Sequence, residues 1–273
     1  MKNVLTIAGS DPSGGAGIQA DLKTMCAHGV YGMSVITAIT VQNTCKVFDT
    51  QDISPEIVAA QIDAVFNDIP VHAVKIGMVS DVRIIRAIRE RLLFHDAKNI
   101  VVDPVMVSKS GYRLLRQEAE LTMRELIAVA DLITPNIPEA ELLAGKIINT
   151  QADMEDTAHT LIENGAKAVL IKGGHLKDNA NDLLLTANGI TWLTSTRIPT
   201  KNTHGTGCTL SSAIVCGLAG GKELEQAVLT AKEYITQAIR DSLSIGKGVG
   251  PLGHMHQLYR KAGMLLEGED SRE

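Results

Sequence analysis

The sequence predicts a doubly wound α/β fold, and three observations carry the prediction. Short runs rich in Val, Ile and Leu alternate with longer segments of helical period. The runs are continuous rather than alternating in and out, as expected of a parallel sheet covered on both faces. Glycines, acids and amides gather just after the runs, where open parallel sheets bind their ligands.

The elements follow in order. The first strand, 4–8, leads through a glycine-rich loop into a helix over 16–28. A β-branched strand over 34–41 precedes a helix over 55–67. Strand 73–76 and helix 81–94 repeat the unit, as do strand 100–105 and helix 117–128. Strand 132–134 is followed by helices 138–144 and 154–163, and strand 168–172 closes the series. Segments 183–187 and 190–194 flank Asn188-Gly189, a hairpin-turn signal, and predict an antiparallel addition at a sheet edge. Two helices, 205–217 and 222–243, complete the chain before a polar tail at 267–273.

Composition excludes several classes of function. The net charge is −5, so no basic surface advertises nucleic acid or anionic lipid. One Trp, four Tyr and three Phe are too few for a base-stacking platform. Asp11 interrupts the N-terminal apolar run, and no stretch approaches the roughly 20 apolar residues a bilayer requires. The chain reads as cytoplasmic, with a small polar ligand rather than a polymer. None of Cys26, Cys45, Cys208 and Cys216 forms a C-x-x-C pair, which removes zinc-knuckle and thioredoxin chemistry.

Six segments are candidates for chemistry. Gly9 to Gly17, GSDPSGGAG, lets backbone approach a ligand closely. Its Gly15-Ala16-Gly17-Ile18-Gln19-Ala20 portion fits G-x-G-x-x-G/A, yet the loop is too long and no ribose-binding acid ends the second strand. A glycine-rich connection without a ligand is the other reading. No G-x-x-x-x-G-K-[ST] occurs, so this is not a P-loop protein. Gln42 offers donor and acceptor on one planar head, suited to a heteroaromatic amine; taken alone, it fits better a strand-end amide bonded to backbone. Asp103 and Glu139 are strand-end acids able to hold Mg²⁺ through water. They also fit a turn before proline and a helix-start acid. Lys172-Gly173-Gly174-His175 combines open amides with a cation, a phosphate-friendly set. In Asn202-Thr203-His204-Gly205-Thr206-Gly207-Cys208-Thr209, amides at a helix start converge into an anion hole. Cys208 stands in that first turn, where the helix dipole favours thiolate.

Taken in order, AGSDPSGGAGIQADLKT, VQNT, KIGM, DPVM, KSG, LITPNIPEAELL, KGGH, NTHGTGCTLSSA and GKGVGP resemble the ribokinase-like superfamily. Within it they resemble the hydroxymethylpyrimidine and phosphomethylpyrimidine kinases of thiamine biosynthesis, over nearly the whole chain. The resemblance implies a three-layer α/β/α fold with a mostly parallel central sheet and an antiparallel edge hairpin. It implies one kinase domain over 1–266, ATP and Mg²⁺ as cofactors, and a homodimer. The implied reaction phosphorylates 4-amino-5-hydroxymethyl-2-methylpyrimidine and then its monophosphate. Gln42 takes the place of the pyrimidine reader, with Gly9, Met78 and Val105 lining its pocket. Lys172, Asn136, Glu139 and Thr203 fall in the ATP set, and Asp103 with Glu139 in the metal set. Gly205, Thr206 and Gly207 match the anion hole. Cys208 stands where sugar kinases carry an Asp base, and it accepts the hydroxyl proton or orients the attacking oxygen.

Other readings differ in observable ways. A pyridoxal-type kinase of the same superfamily would take an aromatic ring with a similar hydroxymethyl group. A cysteine nucleophile doing acyl transfer would form a covalent adduct. A carrier or sensor would bind ligand without consuming ATP.

Overall fold

A computed structural model describes residues 1–108, 111–174 and 180–264. Lys109 and Ser110 of the KSG segment, His175 and the tail 267–273 lie outside the described residues. The strands are β1 (Asn3–Ser10), β2 (Tyr31–Gln42), β3 (Val47–Asp52), β4 (Ala73–Ile76), β5 (Ile100–Val102), β6 (Leu132–Ile133), β7 (Val169–Ile171), β8 (Asp182–Thr186) and β9 (Gly189–Leu193). They pair in the order β3-β2-β1-β4-β5-β6-β7-β8-β9 as one sheet. From β2 to β7 the neighbours are parallel. Antiparallel pairs stand at both edges, β2 with β3 at one and β7 with β8 and β8 with β9 at the other.

The continuous apolar runs follow from burial on both faces. Leu5, Ile7, Val74, Ile76, Ile100 and Val102 enter one core, while the intervening Val4, Ala73 and Val101 enter the other. The principal helices are α1 (Gly17–Ala27), α2 (Pro55–Phe66), α3 (Val82–Phe94), α4 (Glu120–Ile127), α5 (Ile137–Ala144), α6 (Gln151–Glu163), α7 (Thr206–Ala219) and α8 (Leu224–Arg240), with a short α9 (His256–Lys261). Helices α2 to α6 pack their apolar residues into the first core, and α1, α7 and α8 into the second. Three layers result. No helix among the described residues is long and apolar enough to cross a membrane.

Four details depart from the expected elements. The edge strand β3 was not foreseen; most of its VFDTQD residues are exposed or half-buried, so it lacks a buried run. Helix α9 was also missed, being only six residues long. The segment 117–128 divides into a 3-10 turn, Gln117–Ala119, followed by α4. The hairpin turns one residue earlier than Asn188-Gly189 implies. Thr186 pairs with Gly189, leaving Ala187 and Asn188 as the loop.

Candidate active site

Parallel strands end on one side of the sheet, and β1 and β4 to β7 bring their ends together there. Gly9, Met78, Asp103, Asn136 and Lys172 stand at or just past those ends and line a cavity of about 440 Å³. Gln42, Val105, Glu139 and the turn from Gly205 to Cys208 line it too. A second cavity, of about 460 Å³, carries Thr203, Asp182 and Lys232. The two share Asn136, Lys172, Thr206 and Gly207. Every residue predicted for the site lines one cavity or both. Thr203 belongs to the second alone, and Glu139, placed in the ATP set, faces the first.

The shared wall is charged. Lys172 Nζ lies 2.6 Å from Asp103 Oδ1 and 4.0 Å from Glu139 Oε2. Thr134 donates its hydroxyl to the same Asp103 oxygen at 3.3 Å. Burial opposes the charge on Lys172, but Asp103 and Glu139 outweigh it and hold its pKa above the ordinary lysine value. Burial pushes Glu139 above the usual glutamate range; Lys172 works against the shift and Asp103 adds to it. Asn136 and Glu139 also form a capping box at the start of α5, each side chain meeting the other's backbone N–H at 2.8 to 2.9 Å. The helix-start reading of Glu139 is thus correct, and it coexists with a place on the cavity wall.

Gly205 caps α7 with φ of +82°, in the left-handed region that favours glycine. A Cβ there would overlap Gly15 O, so the turn presses directly on the N-terminal loop. A Cβ on Gly207 would stand 3.1 Å from Asp103 Oδ2 and 3.2 Å from Lys172 Nζ. The absence of a side chain leaves this helix start open to the charged wall.

Cys208 sits under opposing effects. Its thiol is pushed up to about 11 by burial, with Asp21 and Asp103 adding to the shift. Lys75 and the Gly17 N–H oppose it without prevailing. Desolvation thus opposes the thiolate that a helix start favours.

Two partnerships were not read from the sequence. Asp11 and His204 lie in motifs far apart in the chain, yet His204 Nε2 lies 2.8 Å from Asp11 Oδ2. Lys75 and Asp21 form a fully buried ion pair at 2.9 Å. Thr6 and Ser212 donate to Asp21 at 2.6 and 2.8 Å. The sequence signal for the second was a lysine inside an otherwise apolar strand, AVKI.

A polyphosphate in the second cavity would bring its end to a hydroxyl held in the first, the layout of a ribokinase-like small-molecule kinase. Comparison with known proteins agrees. A pyridoxal kinase from Bacillus subtilis, solved as an ADP complex, superposes with a TM-score of 0.87 at 40% identity, covering 93% of this chain and 97% of that one. A phosphomethylpyrimidine kinase from Clostridium difficile 630 superposes with a TM-score of 0.79 at 52% identity, covering 88% of this chain and 100% of that one. The hydroxymethylpyrimidine/phosphomethylpyrimidine kinase of Rhizobium meliloti (strain 1021) is 52% identical over 261 residues, 94% of this chain and 98% of that one. Residues 11–253 match the family model for phosphomethylpyrimidine kinase. The chain belongs to the phosphomethylpyrimidine kinase family.

Proposed function

We propose that this chain transfers a phosphoryl group from ATP to 4-amino-5-hydroxymethyl-2-methylpyrimidine, and then to its monophosphate, for thiamine biosynthesis. The observation that carries the reading is the pair of cavities meeting at Asn136, Lys172, Thr206 and Gly207, in a chain of this family. Gln42, Gly9, Met78 and Val105 take the pyrimidine in the first cavity. Thr203, Asn136 and Lys172 take the nucleotide from the second.

Phosphoryl transfer through a loose transition state needs positioning and charge neutralisation more than covalent help. Lys172 supplies a fixed cation at the seam. The first-turn amides of α7, which have no carbonyl partner within the helix, supply the anion hole with Gly205, Thr206 and Gly207. Cys208, as a neutral thiol, orients the hydroxymethyl oxygen; the hydroxyl proton leaves late, once bonding to phosphorus has made it acidic, and passes to an oxygen of the transferred phosphoryl group. Asp103 and Glu139 put hard carboxylate oxygens on the same wall, a donor set that fits Mg²⁺ bound through water. Mg²⁺ held there would neutralise charge on the nucleotide's tail.

Residues 1–266 serve as one catalytic unit in the cytoplasm. The chain forms a homodimer, supported by the exposed apolar side chains of Tyr31, Ile39, Val41 and Phe48 on the β2–β3 edge. Light scattering on the purified protein reads that state directly.

The decisive assay couples ADP release to hydroxymethylpyrimidine, its monophosphate and pyridoxine side by side. Turnover with both pyrimidines is the expected result. Turnover with pyridoxine alone would replace the reading with that of a pyridoxal-type kinase.

A further inference from the structure

We propose that Asp11 and His204 fix the orientation of the Gln42 side-chain amide, and so fix the order in which the pocket presents donor and acceptor to its aromatic ligand. The proposal rests on Gln42 being the residue that meets the pyrimidine. It adds two positioning residues to that site.

Asp11 is saturated with donors. Its Oδ1 accepts from the Ser13 N–H at 2.9 Å and the Ser13 hydroxyl at 2.7 Å. Its Oδ2 accepts from the Gly15 and Ala16 N–H groups at 3.2 and 2.8 Å, and lies 2.8 Å from His204 Nε2. Burial alone would raise the Asp11 pKa, but hydrogen bonds from His204 and Ser13 outweigh it and lower the value to about 2. Asp11 is therefore a carboxylate, which only accepts. His204 Nε2 must carry the proton that Asp11 receives, and it has no lone pair left to offer.

That conclusion constrains Gln42. As placed, the amide sets Gln42 Nε2 3.2 Å from His204 Nε2, donor against donor. Amide oxygen and nitrogen are assigned from their neighbours, and exchanging the two ends removes the conflict. The other end gives the same answer independently. Thr40 Oγ1 lies 3.3 Å from Gln42 Oε1 as placed, but it spends its only proton on Ser10 O at 2.9 Å. Thr40 can only accept from Gln42, so the NH₂ group faces it. Both neighbours require oxygen toward His204 and nitrogen toward Thr40.

The consequence is specificity of a directional kind. The amide offers an N–H at its Thr40 end and a carbonyl lone pair at its His204 end. An aminopyrimidine edge, with a ring-nitrogen acceptor beside an amino donor, matches that order in one direction only. The 4-oxo analogue, with a ring N–H beside a carbonyl, has the inverted pattern. A glutamine free to turn over would serve both; the Asp11–His204 clamp removes the choice.

Two measurements test this. The ¹⁵N spectrum of the wild-type histidines reads which ring nitrogen of His204 is protonated at neutral pH. A protonated Nε2 is expected, and an unprotonated Nε2 overturns the proposal. Second, kcat/KM is compared for hydroxymethylpyrimidine and its 4-oxo analogue in wild type, His204→Phe and His204→Gln. His204→Phe keeps a ring but loses the donor, and its preference for the amino compound should fall about tenfold. KM for ATP should be unchanged, and His204→Gln, still able to donate, should retain more of the preference. An unchanged preference in folded His204→Phe, or parallel loss for both pyrimidines and ATP, counts against the clamp. If His204→Phe does not fold, the ¹⁵N spectrum decides alone. Failure of the underlying reading looks different: Gln42→Leu would leave pyrimidine KM intact whatever the state of His204.

Discussion

Two of the Lys–Asp pairs in this molecule, Lys75–Asp21 and Lys172–Asp103, are built differently. Lys75 and Asp21 are sealed, with both side chains 0% exposed. Asp21 also accepts from Thr6 and Ser212, which complete its hydrogen bonding. Lys172 and Asp103 are 15% and 1% exposed, and Lys172 opens on both cavities. The sealed pair joins β1, β4, α1 and α7. The open pair keeps a cation within reach of whatever enters. A satisfied pair holds structure together, whereas a pair left with a wet face can lend its charge to a ligand.

The largest effect should come from breaking the sealed pair. Lys75→Met leaves Asp21 buried and unpaired, and should cost about 3–5 kcal/mol of stability in a denaturant titration. Lys75→Met combined with Asp21→Leu should recover most of that loss, since no charge is then left buried. The open pair should respond in the opposite sense. Lys172→Met should lower kcat by about 10²–10³-fold, the scale of losing one anion-hole donor. Its stability loss should be less than half that of Lys75→Met, because Asp103 can turn to water in the cavity.

A third arrangement of a buried titratable group sharpens the contrast. Among the described residues His254 has no countercharge; burial first, then repulsion from Lys23 and His256, lowers its pKa to about 4, with the Leu252 carbonyl opposing. Its folded pKa lies below the unfolded value near 6.5, so it supports folding fully above pH 6.5. That support, about 3 kcal/mol, is lost as pH falls from 6.5 through 4. Urea midpoints for His254→Gln should therefore decline less than wild type over that interval. Cys208, neutral and beside both pairs, comes next: losing its orienting contact in Cys208→Ala should slow turnover by about 10²-fold with substrate KM values retained. The smallest effect belongs to Gln42→Leu. It should raise pyrimidine KM by an amount equivalent to about 1–3 kcal/mol and leave ATP KM unchanged in steady-state assays.

The same contrast shows what sequence could and could not carry. Val4, Leu5, Val74 and Val101 announce a doubly covered sheet because neighbours on one strand face different cores. The residues at the strand ends were found for the same reason, since parallel strands deliver their carboxyl ends to one place. β3 escaped because Phe48, Asp49 and Gln51 are exposed and leave no apolar run. Lys75 pairs with Asp21 across 54 positions, and His204 meets Asp11 across 193. No local pattern encodes such partners. For the Cys208 thiol only half of the balance is legible, because the helix dipole is visible in sequence and desolvation is not.

The contact between the two glycine-rich turns has an evolutionary side. Gly205 is opposed by Gly15 O, and Gly17, at φ +56°, by Gly9 O. Both obstacles are carbonyl oxygens, which every amino acid possesses, so no second substitution can make room for a side chain at either position. Gly15 is different, because what a Cβ would strike is the His204 ring. A smaller residue at 204 would open Gly15 to change. Lineages descended from this protein should therefore hold Gly17 and Gly205 without exception, and should vary Gly15 only together with His204.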